Sequence, residues 1–263
     1  METVISKDGT EIAFKRTGSG PPLVLVHGGA GSNQKRWDIG GVRAALAGNY
    51  TVYAIDRRGR GGSGDNGEYS LEREYEDVAA VVNSIDEPVT LLGHSLGANI
   101  SLEAALLTNN IRRLILYEPA FATDDDVLVP EKLVTRVQNL IDKGDKEQAL
   151  ILFMREVALL SQEETDIFRK DPSWQSRLEA AHTLAREEKA LSEYRFDAGR
   201  FSDLSIPALL LTGSESSSIY KKSTKAVHNA LSNSHIVTLE GQAHIAMNTA
   251  PHLFIESVIS FTK

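Results

Sequence analysis

Cysteine does not occur in this 263-residue chain. Its absence removes disulfides, thiolate metal sites and a cysteine nucleophile together, and it is compatible with any redox compartment. Positive charge is in deficit: 28 Lys and Arg stand against 36 Asp and Glu, a formal net charge of −8. An acidic surface argues against nucleic acid or an anionic membrane as the main partner. There is no long uncharged apolar run, so no membrane span is expected. The segment Met1-Glu2-Thr3-Val4-Ile5-Ser6-Lys7-Asp8 lacks both the basic and the apolar region of a secretory signal, so a cytoplasmic location is expected. Internal repeats and low-complexity tracts are also missing. The length suits one large α/β domain with room for an insertion.

The patterning is strand and helix in alternation. Residues 11–17 alternate in polarity after the turn Lys7-Asp8-Gly9-Thr10, which reads as a hairpin. A fully apolar run follows at 23–26 and mostly or wholly apolar ones at 51–55, 89–92, 114–117, 208–211 and 236–239, separated for the most part by helical patterns such as 71–84 and 221–231. Such alternation predicts a mostly parallel sheet with helices on both faces. The exception is 122–205, which is charged, amphipathic and without a strand; helices are predicted at 131–143, 146–160, 163–170 and 175–191. The chain therefore divides into a core, residues 1–121 and 206–263, and a helical cap, residues 122–205. The cap is expected over the carboxyl edge of the sheet, where ligands bind in open α/β folds.

Gly93-His94-Ser95-Leu96-Gly97 lies between an apolar strand and a helical pattern beginning at Ala98. A sharp strand-to-helix turn lifts a serine above the sheet edge and aims the first helical amides at whatever it attacks, which marks Ser95 as a nucleophile. After the strand at 23–26 comes His27-Gly28-Gly29-Ala30-Gly31-Ser32. Its glycines allow close backbone approach, so the amide of Gly29, or failing that Ala30, is expected to join the amide of Leu96 as an oxyanion hole, with His27 bracing the loop. Among seven histidines His244 stands out, because it follows the last strand in a loop that can reach back to Ser95. Two carboxylates compete for the third position. Glu215, on the turn after the strand at 208–211, is preferred; Glu118, at the end of the strand before the cap, is the rival. Gly59-Arg60-Gly61-Gly62-Ser63-Gly64 has the spacing of a dinucleotide-binding loop, but Asp65-Asn66-Gly67 continues the turn where a helix N-terminus would be needed, so that reading is set aside. Asp56-Arg57-Arg58 is expected to anchor a loop.

Taken together, His27-Gly28-Gly29, Asp56-Arg57-Arg58-Gly59-Arg60-Gly61, Gly93-His94-Ser95-Leu96-Gly97, Tyr117-Glu118-Pro119 and Gly241-Gln242-Ala243-His244 resemble the α/β-hydrolase superfamily over nearly the whole chain. The resemblance implies the α/β-hydrolase fold, a Ser-His-acid triad and a helical cap, with no metal and no cofactor. It departs in one place: the turn after 208–211 usually carries an aspartate and here offers Glu215. The expectation is a serine hydrolase of small carboxylic esters, with Ser95, His244 and Glu215 passing through an acyl-enzyme. Phe153, Met154, Trp174 and His182 are expected to line an apolar substrate pocket in the cap. C–C bond hydrolysis or perhydrolysis on the same triad, and a non-catalytic small-molecule receptor, are the alternatives. The sequence leaves oligomeric state open.

Overall fold

In a computed structural model, which describes residues 1–123 and 128–263, eight strands form one sheet in the order β1-β2-β4-β3-β5-β6-β7-β8. The strands are β1 (Glu2–Ile5), β2 (Glu11–Thr17), β3 (Pro22–Val26), β4 (Thr51–Ile55), β5 (Val89–His94), β6 (Ile111–Tyr117), β7 (Ala208–Gly213) and β8 (Ser234–Leu239). β1 and β2 form the expected hairpin, and β2 joins β4 antiparallel; every other pairing is parallel. The chain leaves β3 for β4 on one side and then crosses to β5 on the other. This reversal opens a crevice at the carboxyl ends of β3 and β5, the usual ligand position in open α/β sheets.

Alternation within each strand divides the core. Leu23 and Leu25 of β3 enter one apolar cluster, and Val24 and Val26 enter another on the opposite face, as a side-chain period of two requires. Five helices of the core are α1 (Val42–Ala47), α2 (Leu71–Asn83), α3 (Leu96–Ala104), α9 (Ser218–Ala230) and α11 (Pro251–Thr262), with a short α10 (Ala246–Thr249) after His244. Val42 and Leu46 of α1 and Phe254 and Val258 of α11 cover the first face. Residues of α2, α3 and α9 cover the second.

Between β6 and β7 the described chain is helical: α4 (Glu131–Asp142), α5 (Lys146–Leu152), α6 (Gln162–Lys170), α7 (Trp174–Glu179) and α8 (Leu184–Glu193). Residues 124–127 of the expected cap lie outside the described residues. Two predicted helices are interrupted. The pattern over 146–160 is α-helical only to Leu152; Phe153–Val157 widens into a π-turn, with the Ala158 amide bonded to the Phe153 carbonyl at 3.0 Å, and Leu159 closes the segment at φ 56°. The pattern over 175–191 is broken by a 3-10 turn, Ala180–Thr183. There the Thr183 hydroxyl donates to Ala180 O at 2.8 Å and accepts from Arg60 Nη2 at 2.9 Å, so a contact with the core tightens the helix. The second break has no local signal, because the contact that accompanies it comes from the core.

The helical segment is tied to the core by charge. Glu187 of α8 is fully buried and bridges Arg57 and Arg60, and Arg57 is held in turn by Glu74 of α2 at 2.7 Å. Nearer the surface, Arg186 pairs with both oxygens of Asp65 at 2.8 Å. Asp56 receives the amides of Gln34 and Gly62 and Arg58 grips Asp77, so 56–58 is a loop anchor. No helix opens in the glycine-rich stretch 59–64; α2 begins only at Leu71. Among the described residues no helix is long and apolar enough to cross a membrane.

Candidate active site

β5 ends at His94 and α3 starts at Leu96, leaving Ser95 alone in the turn at φ 56° and ψ −127°. This is a conformation that a non-glycine residue holds only when its surroundings enforce it. The Ser95 amide donates to Tyr117 O of the neighbouring strand at 2.9 Å, and its carbonyl accepts from Ala98 at 2.8 Å. Tight packing completes the constraint. A Cβ at Gly93 would fall 2.3 Å from Gly97 O, and a Cβ at Gly97 would fall 2.4 Å from the carbonyls of Val26 and His27, so only glycine fits at either end.

The loop after β3 lies directly against this turn: a Cβ at Gly28 would be 2.9 Å from Ser95 Cβ. His27 is fully buried beneath the loop. Its Nε2 accepts from the Arg57 amide at 3.2 Å, so Nδ1 carries the proton and donates to Gly28 O at 2.8 Å. Burial, with the Arg57 and Arg60 guanidiniums nearby, holds its pKa well below the usual histidine value. A neutral imidazole with both nitrogens occupied is a brace. Gly29 and Leu96 both line the cavity onto which Ser95 opens.

His244 reaches the same cavity from the loop after β8. Its Nδ1 lies 2.6 Å from Glu118 Oε2, which leaves Nε2 for the cavity side. The ring is fixed from two directions. Tyr220 of α9 stacks on it, centroids 3.9 Å apart and planes 5° apart, and His94 Nε2 donates to the His244 carbonyl at 2.8 Å. The Tyr117 hydroxyl donates to Ala243 O and accepts from the Ala246 amide at 3.1 Å, pinning the loop on both sides of the histidine.

Of the two carboxylates, Glu118 is the one in contact with His244. Glu118 directly follows β6 and adopts φ 47°; it is fully buried, and its Oε1 accepts from Thr212 Oγ1 at 3.0 Å and the Gly213 amide at 2.8 Å. Burial alone would raise its pKa, but the hydrogen bond and charge of His244, with the Gly213 amide, hold it below the ordinary value, so it is ionised. Glu215 is exposed on the turn past the end of β7, where its carboxylate accepts from Ser214 Oγ at 3.2 Å. Chain order fits both residues. The difference is that Glu118 follows β6, beside the β5 strand that leads to Ser95, and is fully buried, while Glu215 is exposed on the turn after β7.

The cavity comprises about 570 Å³ of space, its mouth included, between the strand ends and the helical segment. Of the four expected pocket residues only Phe153 lines it. Met154 is fully buried in the apolar core of the segment. Trp174 packs half-buried against the same core. His182 is exposed on the outer surface, with its Nε2 4.0 Å from Asp65. Helical spacing places residues on an apolar face but cannot say whether that face meets a void or another helix. The wall instead uses Val157, Leu160, Phe168, Leu191 and Tyr220, together with three buried charged residues that sequence reasoning missed: Arg36, Arg177 and Glu188.

Known proteins share this arrangement of elements. A pimeloyl-[acyl-carrier protein] methyl ester esterase from Aeromonas hydrophila is 31% identical over 258 residues, covering 95% of this chain and 98% of that protein. The crystal structure of an alpha/beta hydrolase from Sphaerobacter thermophilus matches all of both chains with a TM-score of 0.84 and 35% identity. An esterase from Rhodococcus sp. matches with a TM-score of 0.78 and 25% identity, over 99% of this chain and 97% of that one. The profile of the alpha/beta hydrolase family matches residues 23–257, and this chain belongs to that family of enzymes.

Proposed function

We propose that the protein is a serine hydrolase of small carboxylic esters, with Ser95, His244 and Glu118 as its triad. The observation that carries this reading is the 2.6 Å contact between His244 Nδ1 and buried Glu118 in a cavity that Ser95 also lines. With Nδ1 committed to Glu118, Nε2 is the tautomeric position free to accept a proton, as a general base requires. Ser95 Oγ attacks the ester carbonyl while its proton passes to His244 Nε2. The oxyanion that develops is held by the amides of Leu96 and Gly29. His244 then protonates the departing alcohol, and Glu118 stabilises the imidazolium in between. Water, activated by the same histidine, attacks the acyl group on Ser95 and returns the enzyme to its starting state. Residues 122–205 act as the cap, with Phe153 as part of the wall that selects the acyl or alcohol group.

The esterase names of the Aeromonas and Rhodococcus relatives support ester cleavage as the reaction. Hydrolysis of p-nitrophenyl acetate, butyrate and octanoate tests it. Repeated turnover is expected, lost in Ser95→Ala. A single slow turnover, or none on any ester, would refute the proposal.

A further inference from the structure

Six arginines among the described residues are almost wholly buried, and they fall into two groups. Arg43, Arg57, Arg58 and Arg60 each face a carboxylate: Asp38, Glu74, Asp77 and Glu187 respectively. Arg36 and Arg177 have no carboxylate within ion-pair range among the described residues, yet both line the cavity that holds Ser95 and His244. Their guanidinium carbons lie 5.1 and 4.5 Å from the centre of the same Phe168 ring, so the two cations are neighbours. Each side chain has a single hydrogen bond, Arg36 Nη2 to Met247 Sδ at 3.2 Å and Arg177 Nη1 to Ala30 O at 2.8 Å. The Nε of both is buried without a partner among the described residues.

Two buried like charges with unsatisfied donors are costly unless something negative comes to them. Burial pulls Arg36 down to about 9, with Arg177 adding its repulsion, and pulls Arg177 down to about 10, so both remain cationic at neutral pH. Asp171 acts on Arg177 only from beyond contact distance. Glu188 lines the same cavity, but burial raises its carboxyl to about 8, so at neutral pH it keeps its proton and offsets neither charge.

We propose that Arg36 and Arg177 form a subsite for a carboxylate carried by the substrate, so that the preferred ester is one with a free carboxylate on its acyl or alcohol part. Planar guanidinium forks match the paired oxygens of a carboxylate, and the apolar wall of Phe153, Val157 and Leu160 suits the short carbon chain between that group and the ester. The inference rests on the ester-hydrolase reading above.

Monomethyl and dimethyl glutarate, which differ by one methyl and one charge, are compared through methanol release, and free glutarate and inorganic phosphate are titrated calorimetrically into the same protein. The monoester is expected to exceed the diester in kcat/KM by about tenfold or more, with glutarate binding more tightly than phosphate. In Arg36→Met and Arg177→Met the ratio of monoester to diester should fall by about tenfold, and Arg177→Lys should recover part of it. Equal or reversed preference in the wild-type enzyme, with no glutarate binding, overturns the subsite whether or not the variants fold. Phosphate binding as tightly as glutarate overturns the carboxylate assignment. Glutarate binding without turnover of either ester upholds the subsite and overturns the hydrolase reading.

Discussion

The strand ends and the helical segment meet at one cavity but build their halves of it differently. On the sheet side, each functional group hangs from a backbone that has no alternative. Ser95 is locked in a strained turn between two glycines that packing demands, Glu118 follows directly from β6, and His244 stands in a loop after β8 that the Tyr117 hydroxyl pins on both sides. On the helical side, the wall is made by ordinary amphipathic residues whose orientation depends on a π-turn and a 3-10 turn. The first half has the rigidity that chemistry needs, and the second has the tolerance that recognition can exploit. Substitutions at the strand ends should therefore depress turnover of every ester, while substitutions in the helices should change which ester is preferred.

The largest effect belongs to Ser95→Ala, with a loss of about a thousandfold or more in kcat and an unchanged melting temperature. A variant that keeps a tenth of wild-type kcat on every ester would remove Ser95 from the nucleophile position. Next comes Glu118→Gln, expected to cost about a hundredfold or more in kcat, because the amide no longer holds His244 in the working tautomer. Glu215→Gln, measured on the same ester, should stay within about threefold, as exposed residues usually do. The opposite ranking would return the acid to the turn after β7.

Glu188 probes the other half. Its carboxyl is raised from 4.5 to about 8, chiefly by burial and against the pull of Arg57. The folded state thus keeps a proton that the unfolded chain gives up near 4.5. Stability is unpenalised below that pH and declines as pH rises towards about 8, where the charge must finally be buried. Glu188→Gln removes this dependence, so its stability relative to wild type should improve between pH 5 and pH 9, by an amount on the order of a few kcal/mol. Urea unfolding at the two pH values reads it directly, and an identical difference at both would show that Glu188 is ionised throughout. The smallest effect concerns selectivity. Phe153→Ala should shift relative kcat/KM between acetate and octanoate esters by about tenfold, whereas Trp174→Ala, which packs away from the cavity, should leave the profile within about twofold. A shift at Trp174 alone would blur the division between wall and core.

The sequence carried these two halves unequally, for the same physical reason. Every strand of the parallel sheet was visible as an apolar run, and Ser95 and His244 could be placed because a strand end fixes where the next residues emerge. The carboxylate was harder. Glu118 and Glu215 both follow strands in an acceptable order, and the proposal of Glu118 rests on its burial and its contact with His244, which chain order does not reveal. The pocket was largely hidden. Phe153 and Met154 are neighbours on one apolar stretch, yet the first faces the void and the second the core. Arg36 and Arg177 gave no signal, since a buried cation without a carboxylate partner among the described residues looks in sequence like any surface arginine.

The wide turn at Phe153–Val157 holds one residue more than an α-helical turn needs. Removing a single residue there would close the wide turn to an ordinary α-turn and leave the chain on either side in phase. Only the residues of the turn would be re-set, Phe153 and Val157 of the cavity wall among them, with no change to Ser95, His244 or Glu118. A one-codon deletion thus reshapes one stretch of the cavity wall in a single step, a change that point substitution would have to approach residue by residue.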